Sequence, residues 1–203
     1  ALDPAIRVFG PKGAVAQNLE PEYITVSRDS RTAWVALQEA NAIAILDIAA
    51  GEFSAIEPLG FKDHMRPGNE LDVSDRDGIR IGKWPVLGMY QPDAIASYEY
   101  RGRSFIVTAN EGDSRDWAGY SEVSRFRALS GNVPPCADSP RLQAFIADNP
   151  YGITSLAQLR DNANLGRLNL TTASGLRADG SCYEDIYAYG ARSFSIWTAD
   201  MKP

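Results

Sequence analysis

The sequence predicts an all-β fold: a section of a β-propeller with about three recognisable blade units and a partly helical insertion. Three observations carry this expectation. Four short apolar segments follow one another within residues 23–59, each ended by turn residues. A similar arrangement recurs at 91–112 and at 184–200. Two long stretches, at 60–90 and 139–166, interrupt the repeat without adding a fourth unit. Evenly spaced short strands with turn signals between them are what a propeller blade looks like in sequence.

The elements follow in order. YITVS (23–27) precedes the turn RDSR, and TAWVALQ (32–38) the turn EAN. AIAILDI (42–48) precedes AAG, and FSAIEPL (53–59) completes the first set of four. PEYITVS (21–27) then returns as QPDAIAS (91–97): proline, an acid, an apolar strand. SFIVTANEG (104–112) takes the place of TAWVALQEAN (32–41), and EDIYAYG (184–190) with RSFSIWTAD (192–200) makes a third unit. Acids and amides suit turns anyway, so the threefold recurrence is the informative part. The stretch 60–90 is long, polar and poor in strand signal. In the other, Ser139 is placed to cap a helix with Pro140 in its first turn, and Leu142, Phe145 and Ile146 share a face. A second helix is expected from Thr154 to Gly166.

Composition excludes several functions. With 26 acidic against 20 basic residues the net charge is −6, the wrong sign for a nucleic-acid surface. No apolar run approaches the roughly 20 residues of a membrane-spanning helix. GPKGA (10–14) lacks the ending of a phosphate-binding loop, and neither GxGxxG nor GxSxG occurs. Cys136 and Cys182, the two cysteines, are not in metal-ligand spacing. Both lie in polar, loop-like sequence, which favours a disulfide and an exported protein over two buried thiols. Asn169-Leu170-Thr171 matches a glycosylation sequon, a pattern with many chance matches.

Acids collect at particular places. NEGDSRDW (110–117) sets Asn110, Glu111, Asp113 and Asp116 directly after the apolar strand RSFIVTA. In a propeller the loops beside inner strands converge, so Glu22 and Asp93 before first strands would meet Glu39, Asn110, Glu111 and Asp113 after second strands. Such oxygens suit calcium, which takes six to eight of them. Arg115 and Arg192 offsetting the charge is the alternative. A second candidate is Asp72, Asp75 and Asp77 beside Gly78, either a cation loop or a solvated one. It is no EF-hand, because the first and twelfth positions would be Val73 and Trp84. Lys62, Arg115, Arg192 and the single histidine, His64, are the candidates for contacting phosphate.

The motifs LEPEYITVSRDSRTAWVALQEANAIAILDI, PLGFKDH, LDVSDRDG, WPVLGMYQPDAIASYE, VTANEGDSRDW and YGARSFSIW resemble the choice-of-anchor I family. That family includes bacterial secreted proteins labelled alkaline-phosphatase-like, and mesenchyme-specific cell-surface glycoproteins associated with sea-urchin skeleton formation. The resemblance implies a β-propeller of which residues 1–203 are an internal section, with insertions at 60–90 and 139–166. Its partners would be the remaining blades or another copy of the chain. It implies an extracellular, periplasmic or cell-surface location. Two functions follow as expectations: a calcium-binding, surface- or mineral-associated propeller, or a metal-dependent phosphomonoesterase. LRADGSCYED departs from the acid-rich run of relatives, keeping Asp179, Glu184 and Asp185 but placing Ala178 and Cys182 within it.

Overall fold

The computed structural model of the chain describes residues 2–11, 13–129 and 133–202. It is mostly β, with two short helices, and divides into two compact units. Unit 1 holds the segment up to Phe61, Met89–Arg115 and the segment from Tyr189; unit 2 holds Lys62–Gly88 and Asp116–Ala188. The strands fall into four sheets, none of which closes on itself among the described residues.

Unit 1 opens with β1 (Ile24–Val26), β2 (Thr32–Leu37), β3 (Ala42–Asp47) and β4 (Glu52–Pro58). They form one antiparallel sheet in chain order, as the first predicted set of four. Trp34, Ala36 and Ile43 face one core; Val35, Leu37, Ala42 and Ala44 face another with Ile6. Burial on both faces explains why β2 and β3 read as unbroken apolar runs rather than as alternation. Two short strands follow, β5 (Phe61–Asp63) and β6 (Leu87–Met89), and then the hairpin β7 (Ile95–Tyr100) and β8 (Arg103–Asn110). Arg101 and Gly102 turn that hairpin with φ of +51° and +72°, the left-handed pair that matches strand twist.

Between β8 and the last strand lie β9 (Asp116–Trp117), β10 (Tyr120–Ser121), β11 (Val123–Arg125), α1 (Pro140–Ala147), α2 (Leu156–Leu159), β12 (Asn169–Thr171) and β13 (Tyr187–Ala188). Then β14 (Ser193–Thr198) pairs antiparallel with β8, Ser193 opposite Asn110 and Thr198 opposite Phe105. This corrects one expectation: the third repeat unit is not a blade of its own. Its first strand, β13, joins a different sheet, and its second, β14, is the third strand of the meander begun by β7 and β8. The cause is local. The Asn110 amide donates to Ser193 Oγ at 3.1 Å and Ser195 Oγ at 2.8 Å, and Ala191 N donates to Asn110 O at 3.0 Å. The first strands of the two meanders are neighbours: Ser97 N donates to Thr25 Oγ1 at 2.8 Å and Ser97 Oγ to Val26 O at 2.7 Å. Trp34, Ile43, Ile95, Ile106 and Trp197 pack together in their shared core.

Unit 2 carries the mixed sheet β11-β12-β13-β6-β5, in which β13 runs parallel to β6. The stretch 60–90, polar in sequence, supplies Leu71, Val73, Trp84 and Val86 to its core. Trp84 is fully buried and stacks on Tyr151 at 4.7 Å. Helix α1 forms as expected: Ser139 Oγ accepts from Leu142 N at 3.3 Å, Pro140 fills the first turn, and Leu142 and Phe145 are buried. The second helix is far shorter than Thr154–Gly166. It ends at Leu159, where Asn164 Nδ2 donates to Gln158 O at 2.8 Å, and Asp161 and Asn164 turn the chain instead. Cys136 and Cys182 form a disulfide across 46 residues, with Cα atoms 5.0 Å apart. On the chain-entropy account a loop of that length contributes about 4 kcal/mol.

Candidate functional site

Four of the acids expected to converge, Glu22, Glu39, Asp93 and Asp113, flank strands of the two meanders of unit 1. Glu22 lies just before β1, and its N–H donates to Ala36 O near the end of β2 at 3.1 Å. Glu39 lies just past β2, Asp93 just before β7, and Asp113 just past β8. Burial raises the Glu22 carboxyl above its usual range, and the charges of Asp93, Asp113 and Glu20 raise it further. Glu39 is only 7% exposed. Burial first, then the charges of Glu22 and Glu20, push it up to about 7, while its own N–H and Arg115 oppose the rise. The charges of Glu20, Asp93 and Asp113 are thus felt at Glu22, and those of Glu20 and Glu22 at Glu39.

Arg115 answers part of that charge. Its side chain is 0% exposed and pairs with Glu20 at 3.1 Å. It also donates to Phe9 O at 2.5 Å and to Asn18 O. Arg7 and Arg115 stand 4.3 and 4.2 Å from the Phe9 ring centroid, and Arg7 donates to Glu39 O at 2.6 Å. The sequence alternative, arginine in place of a cation, thus holds for Glu20. It makes no hydrogen bond to Glu39 Oε2, which is buried without a donor.

One further residue, uncharged and not singled out by its sequence, links these loops. Gln91 is fully buried and holds φ +41°. Its N–H donates to Asn41 Oδ1 at 2.9 Å, its carbonyl accepts from Gly112 N at 3.1 Å, and its Nε2 donates to Asp113 O at 2.9 Å. Its Oε1 is buried with no donor. A glutamine next to the PD repeat motif gives no signal of this in sequence. The only cue is its place one residue before Pro92, where the acid-bearing strand begins.

The NEGD turn is shaped by a close backbone approach. A Cβ on Gly112 would stand 2.0 Å from Gly190 N, and one on Gly190 would stand 2.1 Å from Glu111 O. Both glycines have positive φ, +78° and +72°, so no other residue fits either position without strain. Asn110 and Glu111 do not join the acid group in the way expected: Asn110 is spent on β14 and on Thr108 Oγ1 at 2.8 Å, and Glu111 is exposed.

The second candidate group, in unit 2, has arginines beside Asp75 and Asp77, although both Asp77 oxygens are buried without a hydrogen-bond donor. Arg167 grips both oxygens of Asp75, which holds that carboxyl below its usual range, and Asp75 is 60% exposed. Arg80 stands 2.5 Å from Asp77 Oδ2, an ionic contact out of hydrogen-bond alignment, and its N–H donates to Asp72 Oδ2 at 3.2 Å. Its guanidinium also covers the Trp84 and Tyr151 rings at 4.9 and 5.0 Å. The acids of the 179–185 run are likewise engaged. Glu184 and Asp138 pair with Arg177, Asp185 and Asp63 with Arg141, and Asp179 caps its own turn through Ser181. Among the proposed phosphate contacts, His64 is buried and its Nδ1 meets Asn69 O at 2.6 Å, a carbonyl that requires this nitrogen to donate. Lys62 is half-buried and Arg192 exposed, at φ +46°.

Two observations bear on a metal. Among the described residues no three histidine, cysteine, aspartate or glutamate side chains converge tightly enough to hold one by themselves. The orphaned oxygens of Glu39 and Gln91 nevertheless need positive charge or donors, and calcium accepts amide and main-chain oxygens beside carboxylates. Any cation among the unit 1 acids would have to be completed by neutral ligands. No helix among the described residues is long and apolar enough to cross a membrane. In comparisons with known proteins, the choice-of-anchor I domain profile matches residues 2–202. No curated protein and no solved structure matches.

Proposed function

The chain belongs to the choice-of-anchor I family, whose domain points, with the disulfide, to a secreted or cell-surface protein, and we propose that it is a calcium-stabilised binding module there rather than an enzyme. What supports this reading is the placement of Glu22, Glu39, Asp93 and Asp113 at equivalent ends of strands in two meanders, with Glu39 buried and one of its oxygens without a donor. In it, the two meanders are adjacent blades of a propeller section, with β1 and β7 as neighbouring inner strands hydrogen-bonded through Thr25 and Ser97. Calcium between the loop ends relieves the mutual repulsion of the acids and ties the blades together. Surface or mineral association then follows from a rigid acidic end that presents bound calcium.

The other reading, a metal-dependent phosphomonoesterase, needs cations grouped around a phosphate. Arg115 and His64 are committed to internal partners, and no observation favours that reading. Thermal unfolding tests the proposal. Chelation should lower the melting temperature and calcium restore it, by about 2.7 kcal/mol at a hundredfold excess over Kd. Sodium at equal ionic strength should not, since screening acts weakly at such short separations. A melting temperature indifferent to chelator and calcium would refute calcium binding.

A further inference from the structure

We propose that unit 2 carries a docking surface for an anionic lipid layer, made of two outward isoleucines, Ile79 and Ile81, beside the arginines of the 160–164 turn. It stands apart from the calcium reading of unit 1. Arg80 turns inward: it donates to Ala163 O and to Asn164 Oδ1, the latter at 2.9 Å, and its guanidinium lies 4.9 Å from the Trp84 ring centroid. Its two neighbours are turned out, Ile79 91% and Ile81 68% exposed. Single exposed apolar residues are ordinary. Here two of them bracket one anchored residue, and among the described residues no other large apolar side chain is as exposed as Ile79.

The surface beside them is cationic. Arg160 Nη2 donates to Arg127 O at 2.6 Å, and Arg127 Nη1 donates to Asn162 Oδ1 at 3.1 Å, so the two guanidiniums flank one turn. Ser74 Oγ donates to Asn162 O at 2.6 Å, which with Arg80 ties the isoleucine loop to that turn. Arg125 donates to Arg167 O just beyond it. Arg125, Arg127 and Arg160 have carbonyl or amide partners and no carboxylate among the described residues. Asp75 is held by Arg167 and Asp77 lies against Arg80, which leaves the exposed Asp161 as the opposing charge on the turn. Charge and apolar exposure together select the occupant. A soluble polyanion would use the arginines and leave the isoleucines in water, and an uncharged apolar partner would do the reverse. An anionic lipid surface uses both: head-group phosphates accept from the guanidiniums, and the isoleucines enter the head-group boundary. The net charge of −6 does not prevent this contact, because distant acids are screened beyond about 8 Å at physiological salt.

Sedimentation of the intact chain with vesicles tests this, in chelator so that calcium cannot bridge acids to lipid. Wild type should bind vesicles of phosphatidylglycerol and phosphatidylcholine, and about tenfold more weakly vesicles of phosphatidylcholine alone. Ile79→Ser combined with Ile81→Ser should bind the mixed vesicles about fivefold more weakly or worse, and should melt like wild type because both side chains are exposed. Arg127→Gln combined with Arg160→Gln should weaken binding about fivefold for each charge lost. If the arginine variant does not fold, the isoleucine variant still decides. No binding by wild type, or binding that requires calcium, would overturn the proposal. So would wild-type affinity in the folded isoleucine variant, and equal retention of both proteins on dextran sulfate would then identify a site for soluble polyanions instead.

Discussion

Replacing Glu39 by glutamine keeps the shape of the side chain and deletes its charge. In the native protein this carboxyl is pushed from 4.5 to about 7, chiefly by burial. For an acid whose native pKa is raised, the folded state holds the proton more tightly than the unfolded state. The stability is then full below 4.5 and is lost as pH rises through 7. A displacement of that size corresponds to about 3 kcal/mol. It applies with little solvent screening, because Glu39 is 7% exposed. Metal-free wild type should therefore lose about 3 kcal/mol relative to Glu39→Gln between pH 4.5 and pH 8, or roughly 6–12 °C in melting temperature. The assay is thermal unfolding in chelator, followed by fluorescence of Trp34 and Trp197 in the unit 1 core. The variant should be the more stable protein at pH 8 and should lose the response to calcium. Parallel pH profiles for the two proteins would show that Glu39 is not strained, and the account of the acid group would fail.

Other substitutions probe the framework. Gly190→Ala sets a methyl 2.1 Å from Glu111 O at φ +72° and should cost about 2–4 kcal/mol in urea unfolding; a loss under 1 kcal/mol would show that the two loops separate easily. Arg115→Met removes the buried partner of Glu20 and two carbonyl bonds, and should cost about 3–5 kcal/mol, with calcium recovering part of it. Cys182→Ser should lower the stability of unit 2 by about 4 kcal/mol, and free-thiol titration of denatured, unreduced wild type should find no reactive thiol.

The first meander was legible because β2 and β3 are apolar on both faces and their turns carry Ser30, Asn41 and Gly51, all at positive φ. The placement of Glu22 and Asp93 before first strands and of Glu39 and Asp113 after second strands was legible for a related reason: equivalent positions of a repeat return to the same end. What sequence could not give was non-local. The pairing of β14 with β8 depends on Asn110 meeting two serines more than 80 residues away. The core role of 60–90 depends on Trp84 finding Phe145 and Tyr151. Nor could spacing foretell that Asp75 and Asp77 have arginines at hand, one of them 92 residues distant. Gln91 carries no charge, so its buried oxygen emerges only from its partners in the folded structure.

Anomalous diffraction from crystals of the intact chain grown with calcium tests the central claim most directly. The account predicts a calcium peak within the usual 2.3–2.6 Å of Glu39 Oε2. No peak there at saturating calcium, or a peak confined to Asp75 and Asp77, would contradict it.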